Sequence, residues 1–182
     1  LAHHAAVMDD PHKAAALLDL ARLMLSEGRA PEALGYLELA LTIVPDLDAK
    51  DDVRMLRAAS LALLGRGGQA KDDLTHEGVE GTSDCILWKG LVAAQAGLWK
   101  NALGFFKAGA ERLPAYPDAL FRPIALAMIE AAIREHDVAT ARSTIEQLRE
   151  RPDPAHLVQA ALGYFDGQLA ALGGRDEEAQ AD

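Results

Sequence analysis

Apolar and small residues recur along this chain in blocks, and the blocks repeat. In ARLMLSEGRAPEALGYLELALTIVPD, residues 21 to 46, the spacing predicts a helix ending at Gly28 and a second one starting near Pro31. Proline is well suited to a first helical turn. The second helix carries Ala33, Leu37 and Ala40 on one face at i, i+4, i+7, and Pro45 stops it. In LVAAQAGLWKNALGFFKAGAERLP, residues 91 to 114, a helix ends at Gly97. The next places Ala102, Phe106 and Gly109 at the same spacing before Pro114. Glycine to first alanine is five residues in both copies, and alanine to proline is twelve in both.

Weaker copies fill the gaps. Residues 61–74 hold Gly65, Ala70 and Leu74; residues 133–153 hold His136 in the glycine place, then Ala141, Ile145 and Pro152; residues 169–182 hold Gly174 and Ala179. The predicted turns at 28, 65, 97, 136 and 174 are 37, 32, 39 and 38 residues apart. Runs of Val, Ile and Thr with period two are absent, so the prediction is all-α.

The small residues explain how such blocks pack. Ala21, Ala33, Gly90 and Ala102 let the two helices of a pair approach closely. Leu37 and Phe106 are expected to fill the space between one pair and the next, with Phe105 turned toward a neighbouring helix. A pair cannot bury its own apolar face, so pairs must stack.

This pattern resembles the tetratricopeptide repeat family, whose unit is two antiparallel helices with small residues at fixed points and a proline after the second helix. The resemblance covers about residues 10 to 182. Its best copies hold Ala21, Gly28, Ala33, Leu37, Ala40 and Pro45, and Gly90, Gly97, Ala102, Phe106, Gly109 and Pro114. It implies one domain over 1–182, a right-handed α-solenoid of antiparallel helix pairs. The repeats fall near 14–47, 51–80, 83–117 and 122–154, with an incomplete fifth at 160–182. The chain opens on Leu and stops at EEAQAD, where a second helix of a fifth pair has barely begun. The expectation is a piece of a longer protein with no polar capping helix and an apolar face left open at its end.

Composition narrows the function. Half of the 182 residues are hydrophobic but only 5% are aromatic. The apolar mass is Ala and Leu, the best apolar helix formers. A net charge of −10 disfavours nucleic acid, which needs clustered Lys and Arg, and disfavours anionic membranes. No window is long and apolar enough to span a bilayer, and residues 1–13 lack a signal-peptide pattern. The expected setting is the bacterial cytoplasm, or the periplasm if a longer protein carries a signal.

Candidate chemistry is thin. Cys85 is alone and reads as a small buried hydrophobe. His3 and His4 are adjacent and point apart on a helix; His12, His136 and His156 are isolated, and THEGVE lacks the second histidine of a zincin. GRGGQAK has neither the spacing nor the preceding strand of a phosphate loop. Asp9–Asp10, Asp51–Asp52 and Asp72–Asp73 fit caps and turns. No metal, cofactor or enzymatic activity is expected.

Recognition is left. In the family, first helices line a concave groove that holds a peptide. The resemblance places Arg22, Asp52, Met55, Leu87, Leu91, Gln95, Glu130, Arg134, Tyr164 and Gln168 there. Met55, Leu87 and Leu91 stand where a carboxylate-gripping subset of the family uses Lys and Asn. The implied ligand is therefore an apolar or amphipathic segment of a protein partner. Trp88 reads as core and Trp99 as partly exposed. The alternatives are self-association through the repeat ends, giving a homo-oligomer, and an accessory domain of an enzyme.

Overall fold

The computed structural model describes residues 10–152 and 158–181, with side chains described as far as Gly173. All its regular elements are helical. They are α1 (Asp10–Ser26), α2 (Ala30–Ile43), α3 (Asp51–Leu63), α4 (Gly67–Leu74), the single turn α5 (Glu77–Glu80), α6 (Ser83–Gln95), α7 (Trp99–Gly109), α8 (Asp118–Arg134), α9 (Val138–Arg149) and α10 (Gln159–Ala181). Short 3-10 turns at Pro45–Ala49 and Leu113–Ala115 follow α2 and α7. Four antiparallel pairs result: α1/α2, α3/α4, α6/α7 and α8/α9. Consecutive pairs stack on one continuous core, and α10 lies against α8. This is the helical-repeat arrangement that the pattern predicts.

Four of the five predicted turns are present, and they share one geometry. Gly28, Gly65, Gly97 and His136 have φ of 76°, 71°, 72° and 58°. At each, the residue's own N–H bonds three residues back and the next N–H bonds five back. Gly28 reaches the Leu25 carbonyl (2.8 Å) and Arg29 that of Met24 (2.9 Å); His136 reaches Ile133 (3.2 Å) and Asp137 reaches Ala132 (2.8 Å). This closure satisfies carbonyls that the helix end leaves free, and it demands a left-handed residue. Glycine takes that conformation without a Cβ penalty, whereas an L-residue is strained by roughly 1–2 kcal/mol. His136→Gly is therefore expected to stabilise the fold by about 0.5–1 kcal/mol, read as a rise of about 1–4 °C in Tm. An unchanged or lower Tm would mean that the His136 ring makes a contact worth more than the backbone strain.

The fifth turn is not there. Gly174 lies inside α10, which stays helical to Ala181. Residues 159–181 form one long helix with no break at Gly174. Val158, Leu162, Phe165, Leu169 and Leu172, at 4-3-4-3 spacing, are buried, so α10 covers part of the end predicted to be open. Two other boundaries differ. The second pair's return helix is cut to eight residues and followed by α5. The fourth pair begins at Asp118, four residues early, with Pro123 inside the helix.

Close approach within pairs is also as the small residues predict, but Phe106 works differently. It is fully buried and lies on Gly90 of its own pair; a Cβ at Gly90 would sit 2.6 Å from its ring. Leu87 fits Gly109 in the same way, at 2.8 Å. Phe106 therefore locks α6 to α7, a role within the pair that the sequence pattern did not assign to it.

Candidate functional site on the inner face

The first helices α1, α3, α6 and α8 pack in sequence to form the inner face. They cross steeply. The C-terminal end of α1 meets the N-terminal halves of α3, α6 and α8 around one cavity of about 570 Å³. Its floor is apolar: Leu25, Met55, Leu56, Ala59, Trp88 and Leu120 line it. This is a cup, and α1 itself touches α8 beside it. The cavity gathers the ends of four first helices and does not run the length of the repeats.

Two ion pairs stand on the rim. Arg22 Nη2 donates to Asp52 Oδ2 (2.7 Å) and its Nη1 to Asp19 (2.8 Å). Across the cup, Asp84 Oδ1 accepts from Tyr116 Oη (2.7 Å) and Arg112 Nε (3.0 Å). The Tyr116 ring stacks on Trp88 with centroids 5.9 Å apart and planes 27° apart. Burial, then the hydrogen bond to Asp84, pushes the Tyr116 hydroxyl well above its ordinary pKa. It stays a neutral donor and offers no base or nucleophile.

The predicted groove residues divide. Arg22, Asp52 and Met55 line the cup. Glu130, Arg134, Tyr164 and Gln168 come together elsewhere, in a crevice of about 250 Å³ between α8 and α10. There Arg134 bonds Glu130 (3.0 Å) and lies 4.5 Å over the Trp99 ring, while Gln168 bonds the Tyr164 hydroxyl (2.9 Å). Leu87 and Leu91 are core, at 0% and 5% exposure, and line neither. Leu87 is committed to Gly109. Gln95 Nε2 donates to the Ala62 carbonyl (2.7 Å) and braces the end of α3.

Sequence reasoning missed Asp84, Arg112 and Tyr116, and read Trp88 first as core. One signal was available: Tyr116 stands between Pro114 and Pro117, where a stiff connection holds its side chain in place.

Elsewhere the polar groups are structural. Cys85 is buried, its thiol donates to the Leu74 carbonyl (3.2 Å), and burial raises its pKa. Among the described residues no cluster of three His, Cys, Asp or Glu side chains is placed to hold a metal, and no helix is long and apolar enough to cross a membrane. His3, His4, Asp9 and His156 lie outside the described residues. Asp51 and Asp52 occupy the first turn of α3, as capping predicts, and Asp10 that of α1. Asp73 does not cap; it pairs with Arg57 at the far end of α4.

Asp137 is a true cap. Its Oδ1 accepts from the Thr140 backbone N–H (3.0 Å) and its Oδ2 from Lys107 of the preceding pair (2.9 Å). The Thr140 N–H first, and then Lys107, hold its carboxyl below the ordinary range. A depressed folded pKa makes its stabilisation complete above the unfolded value of roughly 4 and lost as pH falls through the folded value. Asp137→Ala is expected to cost about 1–2 kcal/mol in urea denaturation at pH 7. The gap from wild type should shrink steadily as pH falls below roughly 4. A gap independent of pH would assign the loss to packing instead.

Compared with models of protein families, with curated proteins and with solved structures, the chain matches none, so the likeness to tetratricopeptide arrays rests on the repeat register, the four turns and the paired helices.

Proposed function

We propose that this chain is a tetratricopeptide-like, non-enzymatic scaffold whose inner cup receives an apolar anchor of a protein partner. The cup carries the reading: an apolar floor with an aromatic stack, and an ion pair at each side to fix orientation. Contact between α1 and α8 disfavours a long peptide running through. A bulky side chain presented on a turn or helix end fits better. The rim carboxylates are matched by arginines, and Tyr116 is held neutral, so the site favours binding over acid–base chemistry.

Selection from a displayed peptide library tests this. Enriched peptides should carry a large apolar residue and lose at least tenfold in affinity on Met55→Arg, with Tyr164→Arg nearly neutral. The reverse ranking would move binding to the α8/α10 crevice. Peptides insensitive to both would overturn the inner-face reading.

Self-association is favoured by a different observation. Leu23 and Leu39, on the first pair, are 49% and 55% exposed. Sedimentation of wild type against Leu23→Glu with Leu39→Glu decides it: a concentration-dependent mass lost in the variant supports this reading, and a monomer at all concentrations removes it.

A further inference from the structure

Among the described residues, the repeats touch out of sequence between α1 and α8. The turn after α1 meets the first turn of α8, so pair one reaches pair four. At the contact are Gly28 and Ala119, and a Cβ built on Gly28 would lie 3.1 Å from the Ala119 Cβ. The residues on either side of the contact, Leu25 and Ser26 from α1, Pro117 just before α8 and Leu120 within it, all line the cup. Contact and cavity therefore share a wall.

We propose that this contact is a clasp: pair one swings away from pair four and opens the cup. Three features make opening easy. Neither residue has a side chain larger than a methyl group, so little apolar surface is lost. Pro123 has no N–H to give the Ala119 carbonyl, so the α8 turn that carries the contact is held by one bond fewer. Among the described residues, the main hold on pair one is otherwise pair two, through α1 and α2 on α3 and the 3-10 turn Pro45–Ala49, which supplies a joint. Elements with few buried apolar contacts are those that open locally below the global unfolding threshold.

The clasp also bears on how deep an anchor can reach, because the floor of the cup is closely covered. Trp88 and Ala59 are each only 2% exposed on its floor. A docking anchor needs those surfaces, so binding and opening are coupled, and a partner pays for the broken contact. The clasp extends the docking proposal, but its test needs no partner and fails separately from it.

The experiment is thiol trapping with DTNB. In a Cys85→Ala background, one probe is Ala59→Cys on the cup floor. The control is Ala141→Cys, fully buried in α9 away from the cup. Local opening predicts that the floor probe reacts at least tenfold faster than the control, which waits for global unfolding. Ala119→Leu, a wedge against Gly28, should speed the floor probe at least a further tenfold and leave the control unchanged. Equal rates for the two probes, or a floor rate indifferent to the wedge, would overturn the clasp. Should the wedge speed both probes alike, it acts by global destabilisation, and the clasp is likewise overturned.

Discussion

Phe106→Ala is expected to cost about 3–5 kcal/mol, among the largest losses from a single residue of this chain. Phe106 is, with Phe121, the largest of the fully buried side chains, and its ring lies on Gly90 across the α6/α7 pair. Removing it deletes apolar contact and leaves a hole between two backbones that cannot collapse while the next pairs hold them. The converse substitution tests the same fit. Gly90→Ala places a methyl where only 2.6 Å separates it from the ring, below any normal contact. A fully buried ring is not a flexible chain end that yields cheaply, so the overpacked variant should lose about 1–3 kcal/mol despite alanine's better helix propensity. In a Phe106→Leu background the same alanine should be nearly neutral. Urea denaturation of the four proteins gives the coupling directly. A coupling below about 0.5 kcal/mol would mean that α6 and α7 slide to make room, and that the register of Gly90 against Phe106 is not fixed.

How much of this was legible beforehand depends on the range of the interaction. The turns at 28, 65 and 97 were legible because the closing geometry requires a left-handed residue, and glycine announces one. His136 was found by register alone. Gly174 misled because glycine permits a turn without requiring one. The inner face was less legible for a geometrical reason. Register from the family put Leu87 and Leu91 in a groove, but Asp84 and Trp88 are the α6 residues that line the cup. One residue, about 100° of helix rotation, separates the two choices. The crossing of α1 over α8 is longer in range still. It depends on angles summed over three pair junctions, and it gathers opposite ends of helices into one cavity. No local pattern encodes it.

The other large effect is electrostatic. The second pair has the shortest return helix, and α4 buries only Ala70, Asp73 and Leu74. Apolar contact alone is too small there to hold the pair. Asp73, 4% exposed, does part of the work. Arg57 grips it with two parallel bonds, Nε to Oδ2 at 2.7 Å and Nη2 to Oδ1 at 2.6 Å, and Arg54 adds a third at 3.3 Å. Asp48, on the 3-10 turn, holds the remaining nitrogen of Arg57. The joint between pairs one and two is thereby pinned to α4 through one guanidinium. Asp73→Ala would leave both guanidinium groups about four-fifths buried with their main counter-charge gone. The expected cost is about 3–5 kcal/mol, a fall in Tm of about 6–20 °C for a chain of this length. Asp48 is half exposed, so Asp48→Ala should cost no more than about 1 kcal/mol. The cost of Asp73→Ala lies mostly in stranding the arginines, because desolvation offsets much of what the pair gains. Replacing the set with apolar residues of similar size, Asp73→Leu with Arg54→Met and Arg57→Met, should therefore recover most of the loss. Equal damage from the triple substitution and from Asp73→Ala would show that the bidentate geometry itself, and not the avoidance of stranded charge, holds α4 in place.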